Sequence, residues 1–211
     1  REPVVETALL GYGDIGDDNP VPPNSPYAWR SGVPARDVAG AVELLAQAGY
    51  GPDNPLTLDL YTADAIPGML AMAQMFAEQA AEAGVTVNVI TSPPAEYWDN
   101  VWMKQPFAGS SWLMRHPGEG LAIAYRSNSE YNETHWFIEE YDTLLDLANA
   151  TVDPEERSGL YRQAEQMISE DGGVIIPVFM HMVAAMRSNC SGYERHVRVD
   201  RFDLRHTVCQ P

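Results

Sequence analysis

Two six-residue runs that alternate apolar and polar side chains, Leu56-Thr57-Leu58-Asp59-Leu60-Tyr61 and Val85-Thr86-Val87-Asn88-Val89-Ile90, bracket a stretch in which Met69, Met72, Ala73, Phe76 and Ala80 recur at helical spacing. A period of two predicts strands, and the three-to-four-residue recurrence predicts a helix that opens near Pro67 and ends at Gly84. Strands joined through a helix are expected to lie parallel, since an antiparallel pair needs only a tight turn, and the crossover is expected to be right-handed. The chain is therefore read as α/β, a mixed sheet flanked by helices.

The remaining segments fill in around that unit. Val4, Val5, Ala8 and Leu9 predict a short helix before Gly11, and residues 14–36, rich in Pro, Asp and Asn, predict a loop. Val38, Ala41, Val42, Leu45 and Ala48 form one helical face, with Gly49 placed for the left-handed position beyond its end. Pro93 and Pro94 introduce a short helix through Trp98 and Trp102, and 107–113 reads as a third strand, which sets Arg115 just past a strand end. Two amphipathic helices follow, one turning Tyr141, Leu144, Leu145 and Ala148 inward, the other Leu160, Tyr161, Ala164, Met167 and Ile168. Asp153-Pro154-Glu155-Glu156 marks the start of the second: a capping Asp, Pro at the first helical position, and Glu three residues after the cap. The apolar run from Val174 to Met186 suits a buried strand with Pro177 at an edge or break, and the tail from Tyr193 to Gln210 alternates Val197, Val199, Phe202 and Leu204 with charges.

Charge and motif content exclude several functions. Thirty acidic against 13 basic side chains give a net charge of -17, which repels phosphate backbones and anionic membrane surfaces, so no nucleic-acid partner is expected. No apolar run reaches the ~18 residues of a membrane span. There is no Gly-x-Ser-x-Gly elbow, Walker loop or His-Glu-x-x-His, and Gly11-Tyr12-Gly13 does not follow a strand. His116, His135 and His181 do not stand at ligand spacing, so neither a metal site nor a cofactor is expected. Cys190 and Cys209 are an even pair whose spacing leaves two readings open, inert thiols or a disulfide, with an oxidising compartment favouring the bridge.

One pattern carries further. Trp112 precedes Arg115-His116-Pro117; Asn132 follows downstream, then Tyr141-Asp142-Thr143-Leu144-Leu145 at a helix start. Upstream stand Asn19-Pro20-Val21-Pro22-Pro23 and the Ala39 to Tyr50 helix, and downstream Val174-Ile175-Ile176-Pro177-Val178-Phe179. This order resembles the C-terminal half of the family-5 extracellular solute-binding proteins, the peptide, nickel and opine receptors of ABC importers, over nearly the whole chain.

The resemblance implies one lobe of a type II periplasmic-binding-protein fold. Residues 1–189 would be the C-terminal solute-binding lobe and residues 190–211 a tail that returns to the first lobe. Because the sequence starts at Arg1 within a helix pattern, we expect a fragment without signal peptide or N-terminal lobe. The implied function is capture of a small solute, a peptide or a related and acidic compound, between two lobes, with delivery to ABC permease subunits from a periplasmic or extracellular position. Two other classes stay open: a stand-alone interaction domain of the same fold, or a hydrolase with dispersed carboxylates.

In the family, the loop after the tryptophan faces the cleft, which marks Trp112, Leu113, Met114, Arg115 and His116, with Asn132 and Trp136, as ligand-binding candidates. Peptide receptors of this pattern often hold an aspartate there for the peptide amine. This chain has none between Trp112 and Pro117 and carries Arg115 in that region. A guanidinium offers a planar fork to a carboxylate or phosphate, so an acidic solute group is one expectation and a structural ion pair with a nearby acid is the other.

Overall fold

The computed structural model describes residues 1–30, 32, 35–195 and 202–210, and it is mixed α/β. The expected strand–helix–strand unit forms with its strands parallel: β2 (Thr57–Thr62), α2 (Met69–Ala81) and β3 (Thr86–Thr91), with β2 and β3 paired in register from Thr57↔Thr86 to Thr62↔Thr91. Leu60, Met69 and Ala73 are buried where the helix covers the pair. The other described strands form antiparallel pairs: β1 (Gly13–Ile15) with β4 (Val178–Met180), β5 (Cys190–Ser191) with β8 (Val208–Cys209), and β6 (Glu194–Arg195) with β7 (Phe202–Asp203). Parallel and antiparallel pairing thus occur in separate two-stranded sheets among the described residues.

Most of the buried volume lies in a three-helix layer of α4 (Pro117–Tyr125), α5 (Glu139–Ala150) and α6 (Pro154–Asp171). Tyr141, Leu145 and Ala148 pack with Tyr161, Ala164, Ile168 and Leu121 there, in agreement with the inward faces read from spacing. The Tyr141 hydroxyl donates to the Leu121 carbonyl at 3.0 Å, and burial pushes its phenol well above the ordinary range, which keeps it a neutral donor. Asp153 caps α6 by accepting from the Glu155 and Glu156 amides at 3.0 and 2.8 Å. Gly118 brings α4 against α6, because a Cβ there would lie 2.6 Å from the Tyr161 hydroxyl.

The Pro-rich loop is tied to α6 from within. Glu165 is fully buried and accepts at one oxygen from the Asn19 side chain (2.9 Å) and the Trp29 amide (2.6 Å). Its other oxygen has no partner among the described residues. Burial, partly offset by those two bonds, pushes the carboxyl up to about 7.

Two readings need correction. The segment 107–113 is no strand: only Ala108 bridges to Tyr61, because the chain turns away once Tyr61 has bonded Phe107 and Gly109. The run from Val174 to Met186 yields three strand residues, since β1 offers only three partners, and residues 181–186 are exposed. The short helix read before Gly11 does form, as a five-residue π-helical turn, Val4–Ala8. The helix α1 (Val38–Gln47) also forms as read, with Gly49 at φ +87° after it; no side chain of α1 is buried. Val197 and Val199 lie outside the described residues. The sulfurs of Cys190 and Cys209 are bonded, with the two cysteines directly opposed in the β5–β8 pair.

Candidate functional site

The segment 109–116 leaves the carboxyl end of the parallel pair. Its base is fixed by the Gly109 amide donating to the Tyr61 carbonyl at 2.9 Å, and by the Tyr97 hydroxyl, on α3 (Pro94–Asn100), donating to the Gly109 carbonyl at 2.7 Å. Loops at the carboxyl ends of parallel strands are where open α/β sheets gather ligand groups. Arg115 keeps that position although the segment before it is irregular.

At the far end the loop becomes α4. His116 is its cap: the imidazole Nδ1 accepts from the Gly118 amide at 3.2 Å, and the ring meets Tyr27 and Tyr161 edge-on at 5.0 and 5.7 Å. Among the described residues no group of three or more His, Cys, Asp or Glu side chains could hold a metal ion.

Between these anchors, Leu113 is 53% and Met114 70% exposed, so the loop presents apolar side chains to solvent. Arg115 is partly sheltered. Its Nε donates to Glu119 at 3.2 Å, its Nη1 donates to the Leu113 carbonyl at 3.1 Å, and its Cζ lies 5.5 Å from the Trp112 ring centroid. The structure gives Arg115 an ion pair with Glu119, and its Nη2 donates no hydrogen bond among the described residues. A guanidinium so placed can accept an oxyanion along its Nη edge while keeping the Glu119 pair.

The other candidates sit deeper. Asn132 is 2% exposed, and its amide is committed to its own loop, donating to the Trp136 carbonyl at 2.7 Å and accepting from Thr134 and the Trp136 amide. Trp136 packs edge-on against Tyr141 at 5.0 Å and donates from Nε1 to Asp171 at 3.0 Å. The structure therefore brings Trp112, Leu113, Met114, Arg115 and His116 together on one loop, with Asn132 and Trp136 in the wall packed on the helical core.

Glu133 was not singled out from the sequence. It accepts from Trp112 Nε1 at 2.8 Å, from Trp102 Nε1 at 2.5 Å and from the Ser110 hydroxyl at 2.7 Å. Tyr131 stacks on Trp102 with centroids 5.9 Å apart, and Trp112 stands across both rings at 6.2 and 6.3 Å. Three separate segments supply these groups, and no spacing rule connects them. Away from this loop, a surface groove of about 630 Å³ between α5 and α6 is lined by Leu144, Met167, Glu139, Glu140 and Glu170 among others, and includes no residue of the Arg115 loop.

A family model described as bacterial extracellular solute-binding proteins, family 5 middle, matches residues 1–132. The probable deoxycholate-binding periplasmic protein YgiS of Escherichia coli K12 is 28% identical over 167 residues, covering 75% of this chain and 30% of that protein. The periplasmic oligopeptide-binding protein OppA of the same organism is 27% identical over 149 residues, 69% of this chain and 27% of its own length. The crystal structure of NikA from Staphylococcus aureus in complex with Ni(L-His)2 superposes with a TM-score of 0.77 at 20% identity, covering 92% of this chain and 42% of that one. The chain thus spans less than half the length of each of these proteins, and the NikA superposition speaks to fold alone.

Proposed function

This chain belongs to the family-5 bacterial extracellular solute-binding proteins, and from that premise we propose that it is the C-terminal lobe of an ABC-importer receptor, with Arg115 reading an anionic group on the solute. Residues 1–189 are the lobe, and residues 190–211 return toward an N-terminal lobe that completes the cleft. That division is supported by the pairing of β5 with β8 and of β6 with β7, which ties the described part of the tail to itself.

The observation that carries the solute reading is the Arg115 guanidinium, seated on Trp112 at 5.5 Å in a loop whose neighbours Leu113 and Met114 are open to solvent. The loop has both ends anchored and its middle exposed, the arrangement of a recognition loop on a rigid scaffold. Hinge closure of the two lobes would bury the exposed side chains against the solute, so that affinity comes from contacts made only in the closed state. The solute would then pass to the permease, with the receptor working in the periplasm or at the outer face of the cell. Among the described residues no helix is long and apolar enough to cross a membrane.

The relatives' names give deoxycholate and oligopeptides as their ligands. Those ligands differ too widely to transfer, so the solute class rests on Arg115: a small compound with a carboxylate or phosphate, among which acidic peptides are included. Native mass spectrometry of the full-length receptor purified from its own cells tests this. An acidic co-purifying compound supports the reading, and a compound with no anionic group defeats it.

A further inference from the structure

We propose that Glu133 is a positioning residue for the solute site, acting on Arg115 through the indole of Trp112. The Trp112 indole is addressed by two charges, Glu133 Oε1 accepting from its N–H at 2.8 Å and the Arg115 guanidinium over its ring at 5.5 Å. A carboxylate accepting from an indole N–H increases the electron density of the ring and fixes its plane. Both effects strengthen the attraction of a cation lying over it.

The geometry shows that Glu133 is itself held firmly. Its second oxygen accepts from Trp102 Nε1 and from the Ser110 hydroxyl, two groups that reach it from the turn after α3 and from the base of the Arg115 loop. The carboxylate makes no ion pair among the described residues; its three bonds come from neutral donors. Its charge is therefore not consumed by a cation beside it, and the indole N–H of Trp112 is the route by which that charge reaches Arg115. Tyr131, stacked on Trp102 and edge-on to Trp112, adds ring contacts to both indoles that Glu133 holds.

The functional meaning of this linkage rests on the reading of Arg115 as the anion-recognising group, but its test requires no solute. In the 211-residue chain, proton–nitrogen NMR resolves the indole N–H signals and the Arg115 Nε–H signal, and rotation about the Arg115 Nε–Cζ bond is measurable from the latter. Glu133→Gln should move the Trp102 and Trp112 indole signals while leaving that of Trp136, which donates to Asp171, in place. It should also speed Arg115 rotation about twofold, a part of the roughly fivefold that losing the whole cation–ring contact would give. Glu133→Asp, which keeps the charge with a shorter reach, should recover part of the slowing.

Trp112→Phe provides the independent arm, since it keeps a ring under Arg115 and removes the N–H. Arg115 should rotate faster in it, and adding Glu133→Gln should change nothing further. If the indole signals shift in Glu133→Gln while Arg115 rotation stays as in the parent chain, Glu133 only braces the fold and the proposal is overturned. The same holds if the Trp112→Phe and Glu133→Gln effects on Arg115 simply add. Slowed rotation in the parent chain together with a receptor that ignores anions would leave the linkage standing and remove the reading of the solute.

Discussion

The Arg115 guanidinium lies 5.5 Å from the centre of the Trp112 ring, in a loop whose base is fixed to Tyr61 and whose end becomes the cap of α4. Recognition and scaffold therefore meet in adjacent residues. Substitutions in this region divide into those that affect the fold and those that affect only the exposed edge.

The helical layer carries the fold. Leu145 is fully buried between α4 and α6, so Leu145→Ala should cost about 2–5 kcal/mol through lost burial and the cavity left behind. Val42, 47% exposed on α1, should change stability by about 0.5 kcal/mol or less when replaced by Ala. Urea unfolding of the two variants checks both, and equal losses would mean that the layer is not the dominant core.

Glu165 should make stability depend on pH in the direction opposite to an ion-paired carboxylate. Its folded value, about 7, lies above the ordinary 4.5, so between those values the native state holds more protons than the unfolded chain. Stability contributed by the protonated form is fully present below about 4.5 and is lost as pH rises from there through about 7, by about 3 kcal/mol. Glu165→Gln keeps an oxygen for Asn19 and Trp29 and removes the titration. Thermal melts from about pH 3.5 to 8 (about one unit either side of the window) should fall less steeply for the variant, and parallel curves for the two proteins would contradict the assignment.

Cys190 and Cys209 cross-link strands that pair with each other at the end of the chain. Replacing both by serine should free the tail while leaving the main unfolding transition within about 1–2 °C of the parent, because the loop closed lies outside the helical core. A free-thiol assay on unfolded parent protein without reductant should find no reactive thiol. Two reactive thiols, or a main transition several degrees lower in the double variant, would count against this separation of tail and lobe.

The parts of this structure that local rules govern were legible beforehand. The β2–α2–β3 crossover follows from period alone, Asp153 and Gly49 act at helix ends as their chemistry dictates, and the inward faces of α5 and α6 appear where spacing put them. What failed was apolar sequence without a partner. The segments 107–113 and 174–186 have strand composition, but the first turns away once Ala108 has bridged to Tyr61 and the second meets only the three residues of β1, so both stay mostly irregular. The site was legible as a loop and not as a network. Arg115 and Trp112 stand together in the chain, whereas Glu133 is joined to them only in space. Glu165 had a faint signal, since it lies one helical turn from Tyr161 and three residues before Ile168 on the stripe that packs inward.

The central claim is that Arg115 reads an anionic group on the solute, and titration calorimetry of the full-length receptor with its co-purified solute tests it most directly. Truncating a buried charge-assisted pair costs ~2–5 kcal/mol, so Arg115→Ala should weaken binding by tens-fold or more, and Arg115→Lys should recover only part of it because an ammonium lacks the planar fork. Both variants should melt close to the parent, since the Glu119 pair on the first turn of α4 is an exposed one. Unchanged affinity in Arg115→Ala, with a lowered melting temperature, would make Arg115 a structural ion-pair residue and contradict the account.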